Sequence, residues 1–360
     1  MLSTKPIFRA KTLKFVRFFS QAGSFSENTV PGVVKKARAS NEWIDCVRFD
    51  SQNFNYTVKE FDLYSNAFAY GLLEKGYKPG DKLMLWADQE SSAEIATAQV
   101  GAMKAGCSIV TVDDKDEIDH IATTLAEAGT KGLLLSPHTM LDGKTKRINM
   151  LLDILPELIS AYPSEEVEFK DFPALQDIIH TGHVTIRGTS KFKENMSYVK
   201  STMTNLQIPG CSDSDVAIES FSEGKKVTSI TQSELVSTAV KVYEKYLDTE
   251  NKSLPIFLTV SLQYPLGLAT FVGSLYNGRK VFIPSTYNIA KIAQSFNFQK
   301  SEVLVWEEDV FTFEPPIHKY DEVKENTSTF KTALVAGSGD EPDTNIFTGV
   351  DAIHTSFYLR

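Results

Sequence analysis

Leu83–Val112 reads LMLWADQESSAEIATAQVGAMKAGCSIVTV, and its reading decides the fold. Leu83–Trp86 is a short apolar run bounded by polar residues, the pattern of a buried strand. Ser92–Ala105 follows as a proline-free stretch rich in alanine, and Gly106 marks its end as a helix. Ser108–Val112 is apolar and β-branched again. Strand, helix and strand within about thirty residues make a βαβ unit, which places the two strands parallel in one sheet.

Working outward, the same alternation continues in both directions. Upstream, Thr57 with Glu60 three residues later forms a capping box. Phe61, Leu63, Ala67, Gly71 and Leu72 then fall near helical spacing. Gly76 closes that helix, and Lys78–Asp81 is a turn. Residues 27–53 are polar and mixed, with a helix over Val33–Arg38. Downstream, helices are expected at Ile118–Ala128, Arg147–Leu158, Ser233–Tyr246, Leu268–Leu275 and Ile289–Phe296. Strands are expected at Gly132–Leu135, Leu175–Ile179, Val216–Ile218, Ile256–Val260, Lys280–Ile283, Val303–Trp306 and Thr332–Ala336. Lys191–Leu206 carries neither period cleanly. Phe313–Thr329, with two prolines and many charges, reads as a surface loop. The expected architecture is α/β, mainly parallel sheets flanked by helices. It divides into a basic arm (1–26), a first α/β subdomain (27–210) and a second one (211–360).

Bulk properties narrow the partners. The chain of 360 residues has a net charge of −9, so it lacks the electrostatic footprint of a nucleic-acid binder. No apolar run approaches the length of a spanning helix. The three cysteines, Cys46, Cys107 and Cys211, are odd in number and far apart, which supports neither a disulfide framework nor a zinc site.

The leading segment MLSTKPIFRAKTLKFVRFFSQAGSFS differs from the rest. Lys5, Arg9, Lys11, Lys14 and Arg17 are interleaved with Phe8, Leu13, Phe15, Val16, Phe18 and Phe19, and no acid precedes Glu27. A basic, serine-containing, acid-free lead has the composition of a mitochondrial presequence. Arg17–Ser20 resembles the site cut by the matrix processing peptidase. The alternative is a basic arm that docks on an acidic partner or an anionic lipid surface, with Phe15, Phe18 and Phe19 as anchors.

FNYTVKEFDLYSNAFAYGLLEKGYKPGDKLMLWADQESSAEIATAQVGAMKAGCSIVTVDD, from Phe54 to Asp114, resembles the N-terminal region of acyl-CoA synthetases and other AMP-forming ligases. Tyr56-Thr57, Gly76, Pro79-Gly80-Asp81, Gly101, Ala105 and Gly106 fall at the family's spacings. Pro173–Gly182 (PALQDIIHTG), Leu258–Gly267 (LTVSLQYPLG) and Ala336–Asp340 (AGSGD) are similar to later family segments. The resemblance implies the large N-terminal domain of such a ligase, without its small C-terminal domain.

It also implies where the chemistry would sit, and here the sequence departs from the pattern. Asp213–Leu235, DSDVAIESFSEGKKVTSITQSEL, aligns with the family's phosphate-binding loop. That loop wraps ATP with backbone N–H groups, hydroxyls and a lysine. Its matching positions here are Phe221, Ser222, Glu223, Gly224 and Lys225, followed by Lys226 and Val227, and about five residues are missing on this alignment. Glu223 would set a carboxylate against phosphate oxygens, a repulsion of about 4 kcal/mol at ~4 Å and an effective dielectric of ~20. The family often places an aromatic residue or a histidine in its equivalent of Leu262–Gly267; this chain has Tyr264-Pro265 there and no histidine. Ser356–Arg360 lacks the glycine, threonine and magnesium-holding glutamate of the corresponding family motif. The five loop positions are therefore read as vestigial, with no catalytic residue, no metal ligand and no cofactor.

Other constellations are read as structural. His180 and His183 have a spacing compatible with a metal on a helix, but Gly182 makes the segment a turn and no third ligand is near in sequence. Asp113–Glu117 reads as a solvated helix N-terminus. Ser222 and Ser338 are not in a nucleophile elbow. Ala336–Asp340 lacks the third glycine of a dinucleotide fingerprint.

The functional expectation is a pseudoenzyme, an acyl-CoA-synthetase-like accessory subunit of a mitochondrial assembly on the matrix side. An inner-membrane complex such as ATP synthase or a respiratory complex is the expected host, and other protein subunits are the partners. Membrane contact would come only through the basic arm. The alternatives are a sensor that binds acyl-CoA or a nucleotide, and a split ligase completed by a second polypeptide.

Overall fold

Thr57 leaves the preceding strand in an extended conformation and caps the helix Val58–Glu74 in both directions. Its side chain accepts from Glu60 N–H, and the Glu60 carboxylate accepts from Thr57 N–H. The capping box read from the sequence is thus present. The structure is a computed structural model, and it describes residues 25–112, 118–137, 146–162, 165–198, 207–284, 295, 298–307, 330–336 and 351–355.

The elements run in the following order. Helix α1 (Val30–Asn41) precedes strands β1 (Asp45–Phe49) and β2 (Phe54–Thr57), then α2 (Val58–Glu74), β3 (Lys82–Trp86), α3 (Ser92–Lys104) and β4 (Ser108–Thr111). Next come α4 (Ile118–Ala128), β5 (Gly132–Leu135), α5 (Lys146–Ile154), β6 (Asp177–His180) and β7 (Ser190–Lys191). Strands β8 (Val216–Ser222) and β9 (Lys225–Thr231) lead into α6 (Gln232–Val242), β10 (Ile256–Leu258), α7 (Pro265–Tyr276) and β11 (Val281–Ile283). Strands β12 (Val303–Glu307), β13 (Thr332–Ala336) and β14 (Asp351–Thr355) complete the described chain.

These strands form two seven-stranded sheets. The first has the order β7-β6-β5-β3-β4-β8-β9, and only β9 is antiparallel to its neighbour. The second has the order β14-β13-β12-β10-β11-β1-β2, and only β2 is antiparallel. The expectation of mainly parallel sheets flanked by helices holds. The division drawn between residues 210 and 211 does not follow the sheets. β8 and β9 extend the first sheet beside β4, and β1 and β2 extend the second sheet beside β11.

Strand alternation sorts the core into two bodies. Leu83, Leu85 and Ile109 point to one face of the first sheet and pack with α2, α3, α6 and α7 against Val47, Ile256, Val281 and Val305 of the second. Met84, Trp86, Val110 and Leu133 point to the opposite face, where α4 and α5 cover them with Ile121, Leu125 and Leu151. Among the described residues the layers are therefore helix, sheet, helix, sheet.

One ion cluster lies inside the helical layer. Lys104 of α3 is almost fully buried and donates to Asp62 Oδ1 and Ser65 Oγ of α2, each at 2.7 Å. Arg38 of α1 also donates to Asp62. Burial alone would raise the Asp62 carboxyl, but Lys104 and Arg38 together hold it below its ordinary range. Gly101 lets α2 and α3 approach this closely, because a Cβ there would lie 2.8 Å from the Ser65 carbonyl oxygen.

The expected helix Ile289–Phe296 apart from Ser295, the loop Phe313–Thr329, the acidic run Asp113–Glu117, Gly337–Asp340, Ser356–Arg360 and the basic arm before Phe25 lie outside the described residues. No helix among the described residues is long and apolar enough to cross a membrane.

Candidate functional site

The segment aligned with the phosphate-binding loop is a β-hairpin. β8 runs parallel to β4 and buries Ala217 and Ile218, and β9 returns antiparallel to it. Only Glu223 and Gly224 connect the two, with φ of 51° and 73°. Two successive left-handed residues give a tight reversal of the primed hairpin class. Phe221 and Ser222 are the last residues of β8, and Lys225 is the first of β9, so none of the three belongs to an open loop. Strand β9 is the element that the sequence reading lacked here.

The turn rests against α4. A Cβ on Gly224 would lie 2.9 Å from Thr123 Cβ, so the reversal is packed from behind as well as short. The second lysine is already engaged. Lys226 Nζ lies 2.6 Å from Glu219 Oε1, and Lys82 Nζ lies 2.8 Å from Glu219 Oε2. Burial acts to raise the Glu219 carboxyl, but these two lysines hold it below its ordinary range. The trio ties β3 to β8 and β9 across the intervening β4. Thr231 then caps α6, with Glu234 completing a second capping box.

The LTVSLQYPLG segment leaves β10 and turns into α7. Pro265 occupies the first turn of that helix, where its missing N–H costs nothing. Leu262 and Gln263 are buried, and the Leu262 carbonyl accepts from Gln99 Nε2 of α3 at 2.8 Å. The segment is held in place by the helical layer.

A cleft of about 560 Å³ opens at the C-terminal edge of the first sheet. The loops following β3, β5 and β6 and the turn at the end of β7 build it, with the β1–β2 turn as a fifth wall. In parallel α/β sheets this edge is where ligands bind. Its floor is a chain of hydroxyls. Ser91 Oγ lies 2.8 Å from both Ser136 Oγ and Thr181 Oγ1, and Ser136 Oγ accepts from Asp88 N–H at 3.1 Å. Asp88 is buried, and burial pushes its carboxyl up to about 6 although Arg147 Nη1 lies 3.4 Å away. Glu94 is also raised by burial, and Gln52 Nε2 donates to it at 2.6 Å.

His180 and His183 are separated by this geometry. His180 ends β6, is buried, and is lowered to about 4 by burial and then by Lys191. His183 lies exposed at the rim of the cleft. Among the described residues no group of three potential metal ligands forms. The cleft itself was not expected from the sequence. Its available signal was the run of small polar or acidic residues just past three strand ends, at Asp88, Ser136 and Thr181.

Comparison with known proteins bears on the fold and the family. Residues 35–303 match the family model of the AMP-binding enzymes. A 114-residue stretch is 28% identical to an L-proline–[L-prolyl-carrier protein] ligase of Streptomyces coelicolor, a match spanning 30% of this chain and 21% of that protein. A Rhodopseudomonas palustris protein assigned as a long-chain-fatty-acid CoA ligase superposes with a TM-score of 0.69 at 15% identity, over 90% of this chain and 74% of that one. A Mycobacterium tuberculosis fatty acyl CoA synthetase superposes with a TM-score of 0.66 at 12% identity, over 91% of this chain and 59% of its own.

Proposed function

The chain belongs to the AMP-binding enzyme family, and from that membership we propose that it keeps the family's scaffold as a non-catalytic accessory subunit of a mitochondrial assembly. The observation that carries this reading is the two-residue reversal at Glu223-Gly224. A polyphosphate is held by several inward-turned N–H groups on a flexible, glycine-rich loop. Here the strands pair up to the turn itself, the turn is backed by Thr123, and Lys226 is engaged by Glu219. The scaffold persists because packing, and not the site, maintains it.

Two further features support the role of a subunit. The acid-free basic lead has the composition of mitochondrial targeting. Large side chains are exposed at several places, among them Trp43, Ile159, Tyr162 and Phe298.

The test uses the purified full chain. Incubation with ATP, magnesium and a fatty acid is expected to give no pyrophosphate exchange, and ATP or AMP no rise in melting temperature. Native electrophoresis of mitochondria carrying the tagged chain is expected to show it in a band far larger than its own 40.1 kDa. Pyrophosphate exchange by the chain alone would overturn the reading.

A further inference from the structure

The geometry points to a second, unrelated role for the cleft at the C-terminal edge of the first sheet: it binds a short zwitterion, with a primary ammonium held at the floor and a carboxylate at the rim. This goes beyond the accessory role and does not depend on it, because the cleft lies beyond β3, β5 and β6 and the shortened hairpin beyond β8.

Charge in the cleft is segregated by depth. Asp88, Ser91 and Ser136 are buried at the floor, with Glu94 half-buried beside them. Lys193 and His183 are exposed at the rim, and both act electrostatically on Glu94. Lys191, half-buried, joins them. Buried Arg147 already pairs with Asp88 at 3.4 Å, which leaves Glu90 and Glu94 balanced by Lys191 and Lys193. A site that is neutral overall, acidic within and basic without complements a ligand that is itself neutral and carries its two charges apart. A bare cation would meet the rim lysines, and a bare anion would meet the floor carboxylates.

The uncharged lining fits the same ligand. Carboxylate oxygens and the Ser91–Ser136–Thr181 hydroxyls offer acceptors to the three N–H bonds of an ammonium. Phe192, fixed by stacking on Phe68 with centroids 5.0 Å apart, and Phe54 supply apolar walls for a methylene chain. The volume lies in the ordinary range for small-molecule sites. Burial of Asp88 and Glu94 without full compensation adds to the pull on a ligand cation, since an ammonium would stabilise both carboxylates in their ionised form.

The test is isothermal titration calorimetry of the full chain with γ-aminobutyrate, butylamine and butyrate. γ-Aminobutyrate is expected to bind at least about tenfold more tightly than either singly charged analogue, the difference one charge-assisted contact makes. Glu94→Gln is expected to weaken γ-aminobutyrate about tenfold and to leave butyrate unchanged or stronger. Lys193→Met is expected to weaken γ-aminobutyrate and to leave butylamine unchanged. Lys193 is exposed, so its replacement keeps the fold and the test decisive if the Glu94 variant unfolds. No heat from γ-aminobutyrate at millimolar concentration, equal binding of all three compounds, or insensitivity to Lys193→Met would each refute the assignment. None of these outcomes bears on pyrophosphate exchange, so this inference and the accessory role fail separately.

Discussion

Ser222 and Lys225 stand directly opposite each other across the β8–β9 ladder, and the chain reverses between them in two residues. Gly224→Ala is therefore expected to destabilise the protein by about 1–2 kcal/mol, from a left-handed backbone and a Cβ pressed on Thr123. Glu223→Asn is expected to be neutral or to stabilise by up to about 1 kcal/mol, since asparagine tolerates that conformation better. Urea denaturation measures both, and a Gly224→Ala variant as stable as the wild type would count against the turn.

The buried cluster of Lys104, Asp62 and Arg38 makes a prediction about partners left behind. Asp62→Ala strands Lys104 in the helical layer and is expected to cost about 3–5 kcal/mol. Asp62→Leu combined with Lys104→Met is expected to recover most of that loss, because the uncompensated charge is gone. Thermal unfolding of the single and double variants distinguishes this from simple loss of packing, in which the double variant would be the worse.

Asp88 predicts a pH dependence of one sign. Its carboxyl titrates near 6 in the folded protein against 3.8 ordinarily. Between those values the native state binds more protons than the unfolded one, so stability falls as pH rises through the window. Asp88→Asn should gain on the wild type by up to roughly 3 kcal/mol between about pH 4 and pH 7. Chemical denaturation at a series of pH values reads the difference, and a constant offset would contradict it.

His180 predicts the opposite sign. Burial, and then Lys191, lower it to about 4 from 6.5. The unfolded state binds the proton first, so its contribution is complete above about pH 6.5 and is lost as pH falls toward 4. His180→Gln should therefore flatten the acid limb of the stability profile by up to roughly 3 kcal/mol. An unchanged acid limb would show that the histidine protonates in place.

Thiol chemistry provides a further check. Burial raises the thiols of Cys46, Cys107 and Cys211, the last two to about 12. At pH 8 the native chain should resist alkylation by iodoacetamide and become reactive only on unfolding. Rapid labelling of the native protein, located by peptide mass, would contradict the burial.

Much of the scaffold was legible because local signals agreed with packing. Thr57 with Glu60, Gly76, Gly106 and the apolar runs at Leu83–Trp86 and Gly132–Leu135 mark the elements that the structure contains. Pro156 ends the helix expected to reach Leu158, which stops at Ile154 before a short 3₁₀ turn. β1 was missed because Asp45–Phe49 mixes Asp45 and Arg48 among its apolar residues, and its partners lie far away in sequence. β9 was missed because KKVTSIT is an exposed edge strand, polar at nearly every position. The hairpin positions were found as a shortened loop, but their antiparallel pairing was not readable from composition. The cleft was invisible because its residues come from five separate segments that only the fold brings together.

The placement of β1 and β2 in the second sheet sets an order on synthesis. Val47 pairs with Val281, so β1 and β2 leave the ribosome long before β11 and have no sheet to join until it is made. β3 to β9 can pair among themselves well before that. Residues 45–57 must wait as a two-stranded hairpin with the open edge of β1 uncovered while the first sheet assembles. Closing so long a loop is a slow, non-local step, and the interval before it is when a nascent chain most needs a chaperone.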